Sequence, residues 1–150
     1  MKALQIITVV GVAVAVIAGF FIIGSPMQAR LQLFDAQRVN DLQRIQSEIV
    51  NYWQMKGRLP ETLNALRDDI RGFVPPADPE TKAPYEYMVK GPISFSLCAT
   101  FVVPSVMKDA GPVTYDMGQF YHGSGRQCFE RTIDKDLYPP VPMKAIPVIQ

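Results

Sequence analysis

The chain has 150 residues, which is enough for one domain of ordinary size. Its net charge of +1 gives no field strong enough to suggest nucleic acid as a partner. The charges are distributed unevenly, because residues 3–29 contain no charged side chain and Lys2 is the only one before Arg30. The N-terminal segment and the rest of the chain are therefore expected to occupy different environments.

Residues 3–23 form an almost uninterrupted apolar run. As an α-helix this run would be roughly 32 Å long, which matches the ~30 Å hydrocarbon core of a bilayer. A cleaved signal peptide is the alternative, but its apolar region is usually about 7–15 residues long, and no small-x-small cleavage site follows this run. We expect residues 1–25 to be an uncleaved signal anchor that contacts the lipid bilayer through residues 3–23.

The compartment is indicated by the cysteines. Cys98 and Cys128 are the only two, and they lack Cys-x-x-Cys spacing, so after a membrane segment they predict a disulfide in an oxidising compartment. Two free thiols in a cytoplasmic domain are the alternative. The flanking basic residues, Lys2 on one side and Arg30 and Arg38 on the other, do not decide the orientation. We expect a single-pass protein of the bacterial inner (cytoplasmic) membrane whose C-terminal domain is periplasmic.

A second helical pattern covers about residues 27–56. Pro26 either begins this helix or kinks a continuous one, and Gly57 follows its last residue, Lys56. The apolar positions of this helix do not follow strict heptads, so we expect them to pack on their own domain and not in a coiled coil. We expect Asp41 and Arg44 to pair on the polar surface of the helix. The apolar positions recur every three or four residues and define the predicted packing face: Leu31, Phe34, Val39, Leu42, Ile45, Ile49 and Tyr52.

The segment after this helix predicts a short second helix and a loop. Pro60 suits the first turn of a helix that reaches Leu66, and a proline-bearing loop then extends to about Lys82. At the other end of the chain, residues 138–150 form a proline-rich tail that is expected to be extended or disordered. The domain between anchor and tail is residues 26–137.

Strand signals dominate from residue 85. They cover residues 85–89, residues 93–101 after the turn pair Gly91-Pro92, and residues around 127–132. Alternation in the middle strand places Cys98 on its polar face. The predicted fold class is α+β, with an N-terminal transmembrane helix continuing into an amphipathic helix packed on a small antiparallel sheet.

An ordered series of short motifs runs along the chain from residue 38 to residue 87. The series consists of Arg38-Val39-Asn40-Asp41-Leu42-Gln43-Arg44-Ile45, Tyr52, Gly57-Arg58-Leu59-Pro60, Thr62-Leu63-Asn64-Ala65-Leu66, Asp78-Pro79 and Tyr85-Glu86-Tyr87. This order resembles the type IV pilin and pseudopilin family, and in particular the major pseudopilin of type II secretion. That protein has Arg-x-x-Asp-Leu-x-x-Ile on its long helix and a Tyr at the end of that helix. Gly-Arg-Tyr-Pro, Thr-Leu-x-x-Leu, Asp-Pro and a Tyr-x-Tyr strand follow.

The resemblance implies a pilin-like fold and a structural, interacting role in the cell envelope, linked to a secretion or pilus-type assembly. Its expected partners are other envelope or pseudopilus proteins.

The likeness does not extend to the N-terminus. Pilin-type precursors have a basic leader ending in Gly and a Glu five residues into the mature chain, whereas residues 1–34 here contain no acidic residue. Assembly into a filament by the usual route is therefore not expected.

No catalytic or cofactor-binding set is recognisable, so we do not expect an enzyme. The single histidine, His122, lies in a Gly-rich turn, and Gly123-Ser124-Gly125 is neither a nucleophile elbow nor a phosphate-binding loop. One histidine and two distant cysteines do not supply a zinc site. The calcium-binding loop of the major pseudopilin is also not recognisable, because the candidate acids are too scattered to form an oxygen cage; they are Asp109, Asp116, Asp134 and Asp136.

An anchored ligand-binding or sensory module is the alternative function. The aromatic residues Tyr115, Phe120 and Tyr121, beside His122 and Arg126, would line its pocket. The other interpretation of these aromatics is that they are core and loop anchors, and on that interpretation no small molecule is bound.

Overall fold

The computed structural model describes residues 5–6, 9–12, 14, 26–105 and 120–141. The chain divides into two compact units, residues 1–33 and residues 34–150. The described residues before position 26 are helical. Most of the predicted bilayer-contacting run, residues 3–23, lies outside the described residues, and in the part that is described no helix is both long and apolar enough to cross a membrane.

One long helix, α1, occupies Pro26–Lys56. Its end follows from the backbone freedom of Gly57, which adopts φ +68° and donates its N–H to the carbonyl of Trp53 at 2.7 Å. The predicted end of the helix is therefore confirmed. The choice between a helix that starts at Pro26 and one that kinks there depends on residues 15–25, which lie outside the described part of the chain.

A small antiparallel sheet follows, with strands β1 (Glu86–Val89), β2 (Ser94–Phe101) and β3 (Gly125–Thr132) in the order β1-β2-β3. The register places Leu97 of the central strand opposite Tyr87 on one side and Phe129 on the other. The α+β class, with one long helix and a small antiparallel sheet, is thereby established.

The predicted short helix from Pro60 is instead a single 3₁₀ turn, Leu63–Leu66. Thr62 has extended backbone angles, φ −141° and ψ 160°, so helical geometry begins only after it. The Pro60 carbonyl accepts a hydrogen bond from the Tyr87 hydroxyl at 2.9 Å, which ties this segment to the sheet. Leu63 and Leu66 are buried in the core.

The core lies between α1 and one face of the sheet. Leu42, Ile45 and Ile49 are completely buried, while Val39 and Tyr52 pack at the edge of the core and Leu31 and Phe34 are half-buried. The predicted face of the helix thus packs on its own domain from residue 39 onward. Trp53, also on α1, is buried in the core as well, and the core residues contributed by the rest of the domain are Leu59, Leu63, Leu66, Phe73, Tyr85, Phe95, Leu97, Ala99, Phe101, Phe120, Phe129 and Ile133.

The start of the proline-rich tail lies along the end of α1. The N–H of Val141 donates to the Gln54 carbonyl at 2.9 Å, and the Gln54 side chain donates to the Pro139 carbonyl at 3.4 Å. Carbonyls in the last turn of a helix have no partner within the helix, so this contact satisfies one of them. Residues 142–150 of the predicted tail lie outside the described residues.

Candidate functional site

The most unusual feature of the domain is an arginine buried among carboxylates. The Arg38 side chain, on α1, is 3% exposed. Its Nε donates to Asp78 Oδ2 at 2.6 Å, and its Nη2 donates to Asp78 Oδ1 at 3.1 Å and to Glu80 Oε2 at 2.9 Å. Its Nη1 donates to Asp35 Oδ1 at 2.8 Å. One guanidinium thereby fastens the helix to the loop that carries Asp78, through charge-assisted hydrogen bonds.

Asp35 connects this cluster to the end of the sheet. Its buried carboxylate accepts the backbone N–H of Val102 at 3.0 Å and that of Val103 at 2.8 Å, both at Oδ2. These two N–H groups come directly after β2, where the strand ladder has ended. The carboxylate therefore replaces the sheet partner that the backbone loses at that point.

Asp41 is buried and does not form the predicted surface pair with Arg44. Its carboxylate accepts the Tyr85 hydroxyl at 2.9 Å and the Gln37 side-chain amide at 3.1 Å. The prediction was wrong because Asp41 faces the chain segment that enters β1, whereas Arg44 lies on the exposed side of the helix. A continuous row of polar contacts, which we call the polar seam, thus lies between α1 and the segment 78–85. It consists of Arg38 with Asp78 and of Asp41 with Tyr85.

The seam alters the ionisation of its members. Burial alone would raise the pKa of Asp78, but hydrogen bonds from Arg38 and from the N–H groups of Thr81 and Glu80 outweigh burial and hold that pKa well below its usual value. The hydrogen bonds from Arg38 to Asp78 raise the arginine pKa further above its already high value. Burial, and then the neighbouring Asp41 carboxylate, raise the pKa of Tyr85 well above its ordinary value. The seam is therefore charged at Arg38 and Asp78 and neutral at Tyr85 under ordinary conditions.

We expect acid to weaken the domain through Asp78. Because its folded-state pKa lies below the unfolded value of about 3.9, its contribution to stability is complete above roughly pH 4 and is lost as the pH falls toward the folded-state pKa. Thermal unfolding of the wild type and of Asp78→Asn between pH 7 and pH 2 measures this contribution. The variant should show a flatter fall in Tm, and an equally steep fall in both proteins would contradict the assignment.

Cys98 and Cys128 form the predicted disulfide. They lie directly opposite each other on β2 and β3, with Cα atoms 4.0 Å apart. Cys98 does lie on the face opposite the core, as predicted, but it is only 1% exposed. It is shielded because β2 is the central strand and because Arg126 and Glu86, on the two flanking strands, form an ion pair at 2.6 Å. Alternation alone does not reveal that the outer face of a central strand is covered.

Removal of this cross-link should cost about 3–4 kcal/mol of unfolding free energy, since closure of a loop of this length constrains the unfolded chain by that amount. We expect the same loss for Cys98→Ser, for Cys128→Ser and for the double variant, because each removes one and the same bond. Urea unfolding of the four proteins without reductant measures it. Losses that add up in the double variant would show that the serines act by some other means.

The residues predicted to line a ligand pocket do not share one environment. His122 is buried and its ring stacks on Phe101 at 3.6 Å between centroids, whereas Tyr121 is exposed. Arg126 lies on the outer face of the sheet and is paired with Glu86. Phe120 is buried against Phe129, and Tyr115 lies outside the described residues.

Sequence reasoning missed a groove on the polar side of α1. Its volume is about 480 Å³, and it is lined by Asn40, Gln43, Arg44, Gln46, Ser47, Glu48, Phe73 and Phe120. The Arg131 guanidinium lies 4.7 Å from the centre of the Phe120 ring and donates to Gln46 at 2.9 Å. The groove is polar and formed mainly by one helix, and no pattern in the sequence marks it.

No set of three histidine, cysteine or acidic side chains in the described part of the chain is arranged to hold a metal ion. Of the four scattered aspartates, Asp134 accepts the N–H groups of Asp136 and Leu137 within its own turn, at 2.9 and 3.3 Å. Asp109 and Asp116 lie outside the described residues.

The fold and its polar seam together define a class: an α+β domain in which a long helix is fixed to a three-stranded antiparallel sheet through buried ion pairs. Comparison of the chain with models of protein families, with characterised proteins and with solved structures gave no match.

Proposed function

We propose that this chain is a membrane-anchored, non-enzymatic, pseudopilin-like structural protein of the bacterial cell envelope. Residues 3–23 hold it in the inner membrane, and its domain lies outside the cytoplasm, where it contacts other envelope proteins or components of a secretion or pilus-type assembly.

The observation that carries the proposal is that the residues responsible for the resemblance contact one another. Arg38 and Asp41 come from the helix motif, Asp78 from the Asp-Pro pair and Tyr85 from the Tyr-x-Tyr motif. Arg38 binds Asp78 across 40 positions, and Tyr85 donates to Asp41 across 44 positions. These contacts support the proposal because they join residues from separate motifs of the series.

A contact also joins two further motifs of the series. Tyr87, the second tyrosine of Tyr-x-Tyr, donates to the carbonyl of Pro60, the last residue of the Gly-Arg-Leu-Pro motif. Gly57, the first residue of that motif, ends α1 in the left-handed conformation. The order of long helix, short turn, loop and antiparallel sheet is also the order that the resemblance implies.

In this role the domain is anchored and contacts other proteins, without assembly into a filament by the usual route. In pilins that route uses an acidic side chain near the mature N-terminus to neutralise the amine of a neighbouring subunit. Asp35 is the first acid of this sequence, and its carboxylate is already bound by Arg38 and by two backbone N–H groups.

Site-specific photo-crosslinking of the full chain in native membranes tests the contact. A photoreactive residue at Ile70, which is 99% exposed, or at Leu137, which is also exposed, should yield products that contain other envelope proteins or a second copy of the chain. The same residue at the buried position Ile49 is the control and should yield none. A chain recovered only as a monomer from both exposed positions would contradict the proposal.

The groove beside Phe120 supports a second candidate, an anchored ligand-binding or sensory module. Most of its lining is polar, and the Arg44 cation suits a small ligand with negative charge because the neighbouring Glu48 carboxylate is already paired with Arg71 at 2.9 Å. A ligand present at about 100 times its Kd would raise the unfolding free energy by roughly 2.7 kcal/mol. A screen of small anionic metabolites that shifts no Tm would leave the structural role as the only candidate.

A further inference from the structure

The two sulfurs of the Cys98–Cys128 disulfide have different environments. Cys128 lies on β3 and is exposed, whereas Cys98 lies on the central strand and is 1% exposed. Among the described residues β3 pairs only with β2, so in that part of the chain no further strand lies along its outer edge. A nucleophile from solvent therefore reaches the Cys128 sulfur more readily than the Cys98 sulfur.

The buried sulfur also has a cation beside it. Arg126 Nη2 lies 3.6 Å from Cys98 Sγ, and the Ser96 hydroxyl lies 3.9 Å from it. The guanidinium is held in this position by Glu86, to which it donates from Nε at 3.0 Å and from Nη2 at 2.6 Å. Both neighbours can donate to a negatively charged sulfur, and the arginine favours a thiolate over a thiol, although Glu86, directly opposite Cys98 in the register, offsets part of its charge.

We propose that this disulfide is a thiol-exchange site, in which an external dithiol attacks Cys128 and Cys98 is the leaving thiolate. Thiol–disulfide exchange is faster when the leaving sulfur is the better stabilised thiolate, and the neighbours of Cys98 supply that stabilisation. The inference does not rest on the pseudopilin-like role.

The exchange proceeds in two displacements. A thiolate of the dithiol attacks Cys128 Sγ, a mixed disulfide forms, and the Cys98–Cys128 bond breaks with its electron pair on Cys98 Sγ, which then takes a proton from water. The second thiolate of the dithiol attacks its own sulfur in the mixed disulfide and releases the Cys128 thiolate. The dithiol is oxidised by two electrons, and the protein disulfide is reduced by the same two.

The first test determines which sulfur is attacked. The folded, full-length protein in detergent micelles is treated briefly with the monothiol glutathione, and the released thiol is then alkylated with iodoacetamide. Peptide mass mapping should find glutathione on Cys128 and the alkyl group on Cys98. Glutathione on Cys98, or equal amounts on both cysteines, would overturn the proposal.

The second test examines the guanidinium. Reduction by dithiothreitol should be about threefold to tenfold slower in Arg126→Gln, because Cys98 becomes a poorer leaving group. Arg126→Lys, which keeps the charge, should recover part of the rate. Arg67→Gln is the matched control, since its side chain is exposed and pairs with Asp69 at 2.9 Å. An unchanged or faster rate in Arg126→Gln would contradict the role of the cation.

The third test separates exchange in the folded state from reduction after unfolding. The wild-type rate should rise in proportion to the dithiothreitol concentration. A rate that levels off at the unfolding rate would show that the site reacts only in the unfolded chain, and the proposal would fail. Replacement of dithiothreitol by a Cys-x-x-Cys oxidoreductase at equal dithiol concentration distinguishes a protein partner, which should react faster, from small dithiols alone.

Discussion

Ile45→Asp should abolish the folded domain, with a loss of about 5 kcal/mol or more in unfolding free energy. Ile45 lies in the middle of the packing face of α1 and has no exposed surface. A carboxylate at this position would be buried among apolar side chains without a partner. The free-energy cost of burying such a charge exceeds the unfolding free energy of most small domains.

Asn40→Asp is the matched control for this variant, because it places the same charge on the same helix at an exposed position. Ile45→Val should remain folded and lose only about 0.5–1.5 kcal/mol, so it gives a measurable value where the aspartate variant does not fold. Circular dichroism and urea unfolding of the three variants provide the comparison. If Ile45→Asp were as stable as Asn40→Asp, α1 would not pack on the sheet.

Arg38→Met should lower the unfolding free energy by about 3–5 kcal/mol, because it leaves the buried carboxylates of Asp35 and Asp78 without their cation. Methionine keeps most of the side-chain volume, so the loss reports on charge more than on packing. Arg67→Met, at an exposed ion pair, should change stability little.

The pH dependence of the Arg38→Met loss identifies its cause. Without the guanidinium the Asp78 carboxylate protonates more readily, and the wild type progressively loses its own Asp78 contribution below about pH 4, so the difference in stability between the two proteins should shrink as the pH falls below that value. A difference that stays constant down to pH 3 would mean that lost packing, and not unpaired charge, is responsible.

The elements of the fold follow from local patterns. The three-to-four-residue spacing from Val39 to Tyr52 predicted the helix, and Gly57 after Lys56 predicted its end, because both signals depend on neighbours within one or two turns. Alternation about Leu97 predicted strand β2 for the same reason, but not its central position in the sheet. The pairing of the two cysteines followed from their number and from the expected compartment.

The seam around Arg38 was beyond local reasoning. The sequence marked Arg38 only as part of a motif and as a basic residue flanking the apolar run, and its partners Asp78 and Glu80 lie 40 and 42 positions away. The periodicity of the helix assigned Asp41 to the surface, because charged side chains usually face water, and only the position of Tyr85 explains its burial. The only local signal for the cluster is the i, i+3 spacing of Asp35 and Arg38.

Two proposed environments matter most: lipid around residues 3–23 and an oxidising aqueous compartment around Cys98 and Cys128. Cells that produce the chain are treated with N-ethylmaleimide and fractionated, and the mass of the intact polypeptide is measured in each fraction. We expect the full-length chain in the membrane fraction, without added maleimide and two hydrogens lighter than the dithiol form. A full-length chain in the soluble fraction that carries two maleimide groups would contradict the account.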